Sequence, residues 1–276
     1  MTELGDNRDN FCYRHPDRQS FILCQRCGRT VCPQCSTQAA VGVHCPECVK
    51  EARANAPRRK PVNIRVARSL RNSTDKPLVT YAIITLCVLV HAAQFFLGDA
   101  LTGWLIYYAP LGFSQPWRLL TSLLAHGSPL HLLSNMFSLF IIGRMLEPAL
   151  GHIRYFALFL ISGVGGLAAV ALVVPGNPVL GASGAIFGML GALLVLIRRF
   201  GGNATQILVV VAINMVIGFV LPGVAWQAHI GGFIAGAALT AIFVRTRSEK
   251  QRGVQVAATI GIGLVLLAVI GISQSL

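Results

Sequence analysis

The sequence predicts an all-α polytopic membrane protein: a bundle of about seven transmembrane helices behind a small cysteine-rich N-terminal module. Three observations predict it. Of 276 residues, 54% are hydrophobic and 12% charged, a membrane composition rather than a soluble one. Charge is unevenly spread, because residues 1–76 hold 14 of the 23 Lys and Arg and 7 of the 10 Asp and Glu. The remainder contains seven apolar runs, each near the ~20 residues needed to span hydrocarbon.

The N-terminal module, residues 1–50, reads Cys12-x2-His15, Cys24-x2-Cys27, Cys32-x2-Cys35 and Cys45-x2-Cys48. Four two-residue-spaced pairs supply eight ligands, enough for two structural Zn²⁺ ions in tetrahedral sites. Only four residues separate the second and third pairs. That favours a cross-braced arrangement, with Cys12, His15, Cys32 and Cys35 in one site and Cys24, Cys27, Cys45 and Cys48 in the other. A sequential arrangement stays open, as does His44 in place of Cys45. Closed four-ligand sites leave no position for a substrate, so these zincs are structural rather than catalytic. The module has few apolar residues, and metal must supply much of its folding energy. Its pattern resembles a B-box-type zinc finger, which implies a docking or regulatory head for a cytosolic protein partner; a simple folding cap is the alternative. Residues 51–76 form a basic linker suited to anionic membrane lipid. The net charge of +13 therefore requires no nucleic acid.

The apolar segments fall at roughly 77–98, 130–147, 153–174, 182–198, 204–221, 227–244 and 254–273. Basic residues alternate between their connections. Arg53 to Lys76 precede the first segment, Arg144 and Arg154 flank the second connection, and Arg198 and Arg199 the fourth. Arg245, Arg247, Lys250 and Arg252 lie before the last segment, whereas the opposite connections hold only Arg118. The positive-inside rule then predicts a multi-pass plasma-membrane protein with a cytoplasmic N-terminus and an outside C-terminus. No cleavable signal peptide is expected, since the first 70 residues are polar. The module then lies in the reducing cytosol, against disulfides. Cys87 reads as core of the first segment.

With that orientation, segments two, four and six run inward from the outer face. His131, Ser183 and His229 each fall within the first few residues of those segments, at similar depth. Asn135 follows His131 by one turn on the same face. Intramembrane polar groups are costly and tend to carry function. A serine needs an adjacent base to act as nucleophile. No Lys lies between Lys76 and Lys250, and the only acids between Asp75 and Glu249 are Asp99 and Glu147. A Ser–Lys dyad and a buried Ser-His-Asp triad are both disfavoured. A dyad remains, in which Ser183 attacks and His229 takes the proton. His131, Asn135 and the Ser183 backbone N–H stand ready as oxyanion donors.

Helices four and six must approach closely, and Gly181, Gly184, Gly188 and Gly191 face Gly232 and Gly236 at suitable spacing. A transporter is disfavoured, because segments four to six carry no charged relay. Among other residues, His126 reads as a loop brace and His91 as an interhelical hydrogen-bonder. Glu147 reads as snorkelling or paired with an arginine. Trp117 and Arg118 read as an interfacial anchor, and Asn214 as a packing group or part of a lateral substrate entry.

Together, Trp117-Arg118, His131-x3-Asn135, Gly181-x-Ser183-Gly184 and Ala228-His229-x2-Gly232-x3-Gly236 resemble the rhomboid family of intramembrane serine proteases over residues 77–245. The resemblance implies a Ser183–His229 dyad, with His131 and Asn135 helping to bind the oxyanion. It also implies cofactor-free cleavage of transmembrane protein substrates near their outer end. A further segment within 246–276 fits the six-plus-one variant of that family. Phe187 departs from the tyrosine found in many members, so it can pack on the imidazole but offers no hydroxyl. The alternative is a proteolytically silent relative that binds transmembrane helices of clients.

Overall fold

The computed structural model describes residues 10–39, 41–55, 76–220 and 223–274. Most of the basic linker at 51–76 and part of the connection at 222–223 lie outside the described residues. The chain divides into two compact units, Met1–Pro61 and Val62–Leu276.

The first unit contains two short antiparallel pairs and one helix. β1 (Phe11–Cys12) pairs with β2 (His15–Gln19), and β3 (Thr37–Gln38) with β4 (Val43–His44). α1 spans Pro46–Asn55. The buried core comprises six cysteines and Val31, with Tyr13 and Val43 packed against it. So little aliphatic area gives weak hydrophobic stabilisation, and a unit of this size needs another source of folding energy. Tyr13 OH donates to the Glu47 carboxylate, tying α1 to the first hairpin.

The second unit is a helical bundle: α2 (Leu78–Leu105), α3 (Arg118–Leu124), α4 (Pro129–Leu150), α5 (His152–Val173), α6 (Ser183–Arg199), α7 (Thr205–Val220), α8 (Trp226–Arg245) and α9 (Arg252–Ser273). Helices within Leu78–Leu105, Pro129–Leu150, His152–Val173, Trp226–Arg245 and Glu249–Ser273 are long and apolar enough to cross a bilayer. α6 and α7 are shorter, with 17 and 16 residues. The chain is a multi-pass membrane protein built as an all-α bundle.

Most boundaries match the apolar segments within a few residues. α2 is the exception, running on to Leu105 across a kink at Gly98, whose φ is 67°. The connection between the first two apolar segments contains α3 and a 3₁₀ turn at Ala109–Leu111. Arg118, expected at the interface, is buried instead. It donates to Gln115 Oε1 at 2.6 Å and to the carbonyls of Gly103 (2.6 Å) and Ile106 (2.5 Å). One guanidinium thereby satisfies carbonyls that the end of α2 leaves without helical partners. Trp117 stacks on Trp104 with centroids 5.8 Å apart.

Glu147 also differs from expectation. Its side chain is fully buried and neither snorkels nor meets an arginine. Its carboxylate accepts the N–H groups of Val79 and Thr80 at 2.8 Å each and the Thr80 hydroxyl at 2.6 Å. His152 Nδ1 lies 2.6 Å away. The reason is the N-terminus of α2, whose first N–H groups lack intrahelical acceptors and favour a negative charge. A residue 68 positions away supplies that cap.

The tightest packing involves α5, α6 and α8. A Cβ on Gly232 would strike the Gly184 carbonyl oxygen, and one on Gly236 that of Gly188. On α5, a Cβ at Gly166 would lie 2.7 Å from the Ala228 carbonyl oxygen, and one at Gly165 would collide with Ala235. α8 is therefore held between two helices at backbone contact distance, so its first turn has little freedom to move.

Candidate active site and metal centres

Ser183 opens α6. The preceding Gly181 has φ +120° and donates its N–H to the Ser122 carbonyl at 2.8 Å. A Cβ at Gly181 would lie 2.7 Å from the His131 ring, so only glycine satisfies both backbone and space there. On α4, Ser128 caps the helix by accepting the His131 N–H at 3.2 Å, and Pro129 occupies the first helical position. That start places His131 in the first turn and Asn135 one turn on. His229 lies in the first turn of α8.

These four residues line one cavity of 670 Å³ together with Phe187, Ser122 and Leu180. His229 is 7% exposed and stacks on Phe187, with centroids 4.1 Å apart and planes 4° from parallel. The His229 Nδ1 and Asn135 Nδ2 atoms are buried without hydrogen-bond partners. Among the described residues Ser183 makes no hydrogen bond to His229, although the two line the same space. Among the described residues no carboxylate meets His229 Nδ1 either, and the Glu147 carboxylate is committed to the start of α2.

His126 and His91 act as a pair outside the centre of the site. His91 Nδ1 lies 3.1 Å from the His126 carbonyl oxygen, and the His126 ring meets His131 edge-on at 5.1 Å. α7 supplies another cavity wall through Val210, Asn214 and Ile217. Its only buried residue is Gly218, and Asn214 Nδ2 donates back to the Val210 carbonyl at 2.8 Å.

Sequence reasoning missed two features. Ser122 gave no signal, being one serine in a short apolar stretch. Gly163-x-Gly165-Gly166 in the third segment did carry the small-residue signal for the α5–α8 contact.

In the first unit, two ligand sets come together: Cys12, His15, Cys32 and Cys35, and Cys24, Cys27, Cys45 and Cys48. Within each set all ligand atoms lie inside 4.8 Å of one another. His44 joins neither set and pairs with Thr37 in the second hairpin. All these cysteines are free thiols. Zn–S bonds of about 2.3 Å in a tetrahedron require sulfurs about 3.8 Å apart, and a Zn–N bond shortens the mixed spacing to about 3.6 Å. Cys27 and Cys45 sulfurs lie 3.7 Å apart. His15 Nδ1 lies 3.8, 3.5 and 3.4 Å from the sulfurs of Cys12, Cys32 and Cys35. The donor sets fit a tetrahedral cation of that size. Burial alone would raise the Cys12 and Cys24 thiols, but backbone N–H groups outweigh it and hold each at about 6. Burial and neighbouring sulfurs push Cys35 up to about 11 and Cys48 to about 12. Without a cation, four adjacent thiols cannot ionise together.

A rhomboid domain description matches residues 114–246. RHOMBOID-like protein 4 of Arabidopsis thaliana is 42% identical over 129 residues, covering 44% of this chain and 32% of the plant protein. Rhomboid protease GluP of Bacillus subtilis is 34% identical over 179 residues, 58% of this chain and 34% of GluP. YdcA of the same bacterium, also named as a rhomboid, is 31% identical over 158 residues, 55% of this chain and 78% of YdcA. The chain thus spans about a third of the length of RHOMBOID-like protein 4 and GluP but most of YdcA. With the all-α bundle and the matching core, these likenesses establish that the chain belongs to the rhomboid family.

Proposed function

We propose that this protein is an intramembrane serine endopeptidase that cleaves transmembrane protein substrates near one membrane face. The observation that carries this reading is the convergence of Ser183, His229, His131 and Asn135 on one cavity, from three different helices. Ser183 Oγ attacks the scissile carbonyl while His229 removes its proton. The tetrahedral oxyanion is met by Asn135, whose buried Nδ2 has no other partner, by His131, and by N–H groups at the start of α6. His229 then returns the proton to the leaving amine, and water repeats the cycle on the acyl-enzyme. Phe187 fixes the imidazole plane by stacking, the task that a carboxylate performs in a triad. The loosely packed α7 is the side through which a substrate helix would reach the cavity, with Asn214 on that wall. The two cysteine and histidine sets hold structural zinc, and the head presents exposed Phe21 and Leu23 to a protein partner. The N-terminus is cytoplasmic in this reading, the C-terminus is outside, and the plasma membrane is the host.

One observation favours a second reading, a client-binding protein without proteolysis: Ser183 and His229 share no hydrogen bond. Catalytic pairs are often looser before substrate arrives. A fluorophosphonate probe decides between the two. Exclusive labelling of Ser183 that His229→Ala abolishes supports the protease. An unlabelled, folded wild-type protein supports the binder.

A further inference from the structure

We infer that Gln274, at the end of α9, is a positioning residue for the Ser183 loop, so that α9 bears on the site as well as on the core. The inference rests on the protease reading above.

The buried residues of α9 are Gln255, Ile270 and Ser273 alone, all near its two ends. Ile262, Leu266, Leu267 and Val269 are partly buried and pack one face of α9 on the core, and polar contacts fix its two ends. At one end, Gln255 accepts from Arg154 Nε at 2.7 Å and donates to the Thr246 carbonyl at 3.1 Å. At the other end, Gln274 Nε2 donates to the Ala109 carbonyl at 2.7 Å. Two glycines make that contact possible. A Cβ on Gly112 would lie 2.7 Å from Gln274 Nε2, and one on Gly271 would lie 3.0 Å from the Phe113 ring.

From Ala109 the connection runs to the site through backbone. Tyr107, two residues earlier and fully buried, exchanges both main-chain hydrogen bonds with Val179, at 2.9 and 2.8 Å. Val179 lines the cavity and stands two residues before Gly181, whose N–H is held by Ser122, and four before Ser183. Arg118 already holds the Ile106 carbonyl, and the Ala109 carbonyl also accepts the Gly112 N–H at 3.0 Å, so Gln274 adds one more restraint to this segment. A donor on a bilayer-length helix limits where the Ala109–Tyr107 ribbon can sit, and the ribbon limits Val179. Nucleophile placement tolerates errors of about half an ångström, so this restraint bears on turnover more than on substrate affinity.

The test uses the full chain in lipid nanodiscs. Gln274→Glu keeps shape but loses the donor, and Gln274→Lys keeps a donor of similar reach. Gln274→Glu should lower kcat on a transmembrane substrate about 3–10-fold, the effect of one hydrogen bond, with KM nearly unchanged. It should also slow fluorophosphonate labelling of Ser183 and speed hydrogen exchange at the Tyr107 and Val179 amides, while Gln274→Lys restores all three. Wild-type kcat in Gln274→Glu would overturn the inference. So would a fall in kcat without faster exchange at those amides, or Gln274→Lys impaired as much as Gln274→Glu. If the wild-type chain never labels at Ser183, the protease reading fails and this inference falls with it.

Discussion

Asn135 Nδ2 and His229 Nδ1 are each buried without a partner, a condition that costs about 1–3 kcal/mol per group. The Asn135 cost makes sense if the group is satisfied only when a substrate oxyanion arrives. Asn135→Ala should then lower kcat by about 10²–10³-fold, the loss typical of one oxyanion donor, and leave KM nearly unchanged. A rise in KM at constant kcat would assign Asn135 to substrate docking instead. Glu147 presents the opposite case, a charged group with every oxygen committed. Glu147→Ala leaves the Val79 and Thr80 N–H groups without acceptors and should destabilise the bundle by about 2–3 kcal/mol, read as a lower unfolding midpoint in detergent. At this scale legibility divides by range. His131, Ser183 and His229 could be singled out because each begins an apolar segment, so depth alone aligned them. Glu147 could not, because its partners lie 68 positions away and no local pattern announces a cap delivered by another helix.

Helix order and length follow from apolar run length, and for most segments the ends agree within a few residues. α2 overran its segment because helix continues wherever backbone and caps permit, not only where hydrocarbon requires it. Helix contacts were partly legible. The glycines of α6 and the 232/236 face of α8 have a matched spacing that requires close approach, whereas the Gly163-x-Gly165-Gly166 signal for the opposite face of α8 is present but has no fixed partner until the structure pairs it. Both faces matter. Gly232→Leu should drive α8 off α6, and Gly166→Leu should drive it off α5 by colliding with the Ala228 carbonyl oxygen. Overpacking costs about 1–3 kcal/mol or more, and each change displaces the turn that carries His229. Both variants should lose the proposed proteolysis, and Gly166→Leu should do so without touching a residue of the proposed dyad. Retained cleavage in Gly166→Leu would show that α5 does not set the His229 position. As an internal control, Gly253, where a Cβ meets nothing, should accept Ala without effect.

At the scale of the whole chain, the two units draw stability from different sources. The bundle buries a continuous apolar core, whereas the head buries ligand sulfurs around Val31. If the two ligand sets hold zinc as proposed, its binding is folding energy for the head and competes with protons for the thiolates. Chelation should unfold the head, release zinc and take up protons, while the helical signal of the bundle persists. The effect should strengthen as pH falls, because thiolate ligands reprotonate and zinc affinity drops. Since the units are separately compact, a chain beginning near residue 70 should stay folded and cleave a generic transmembrane substrate in detergent at a rate near that of the full chain. Native substrates could still be cleaved less well by it, as expected when a docking element is missing. Comparing kcat/KM for generic and native substrates separates the two effects. A folded truncated chain inert towards every substrate would instead require the head to act on the Ser183 cavity itself.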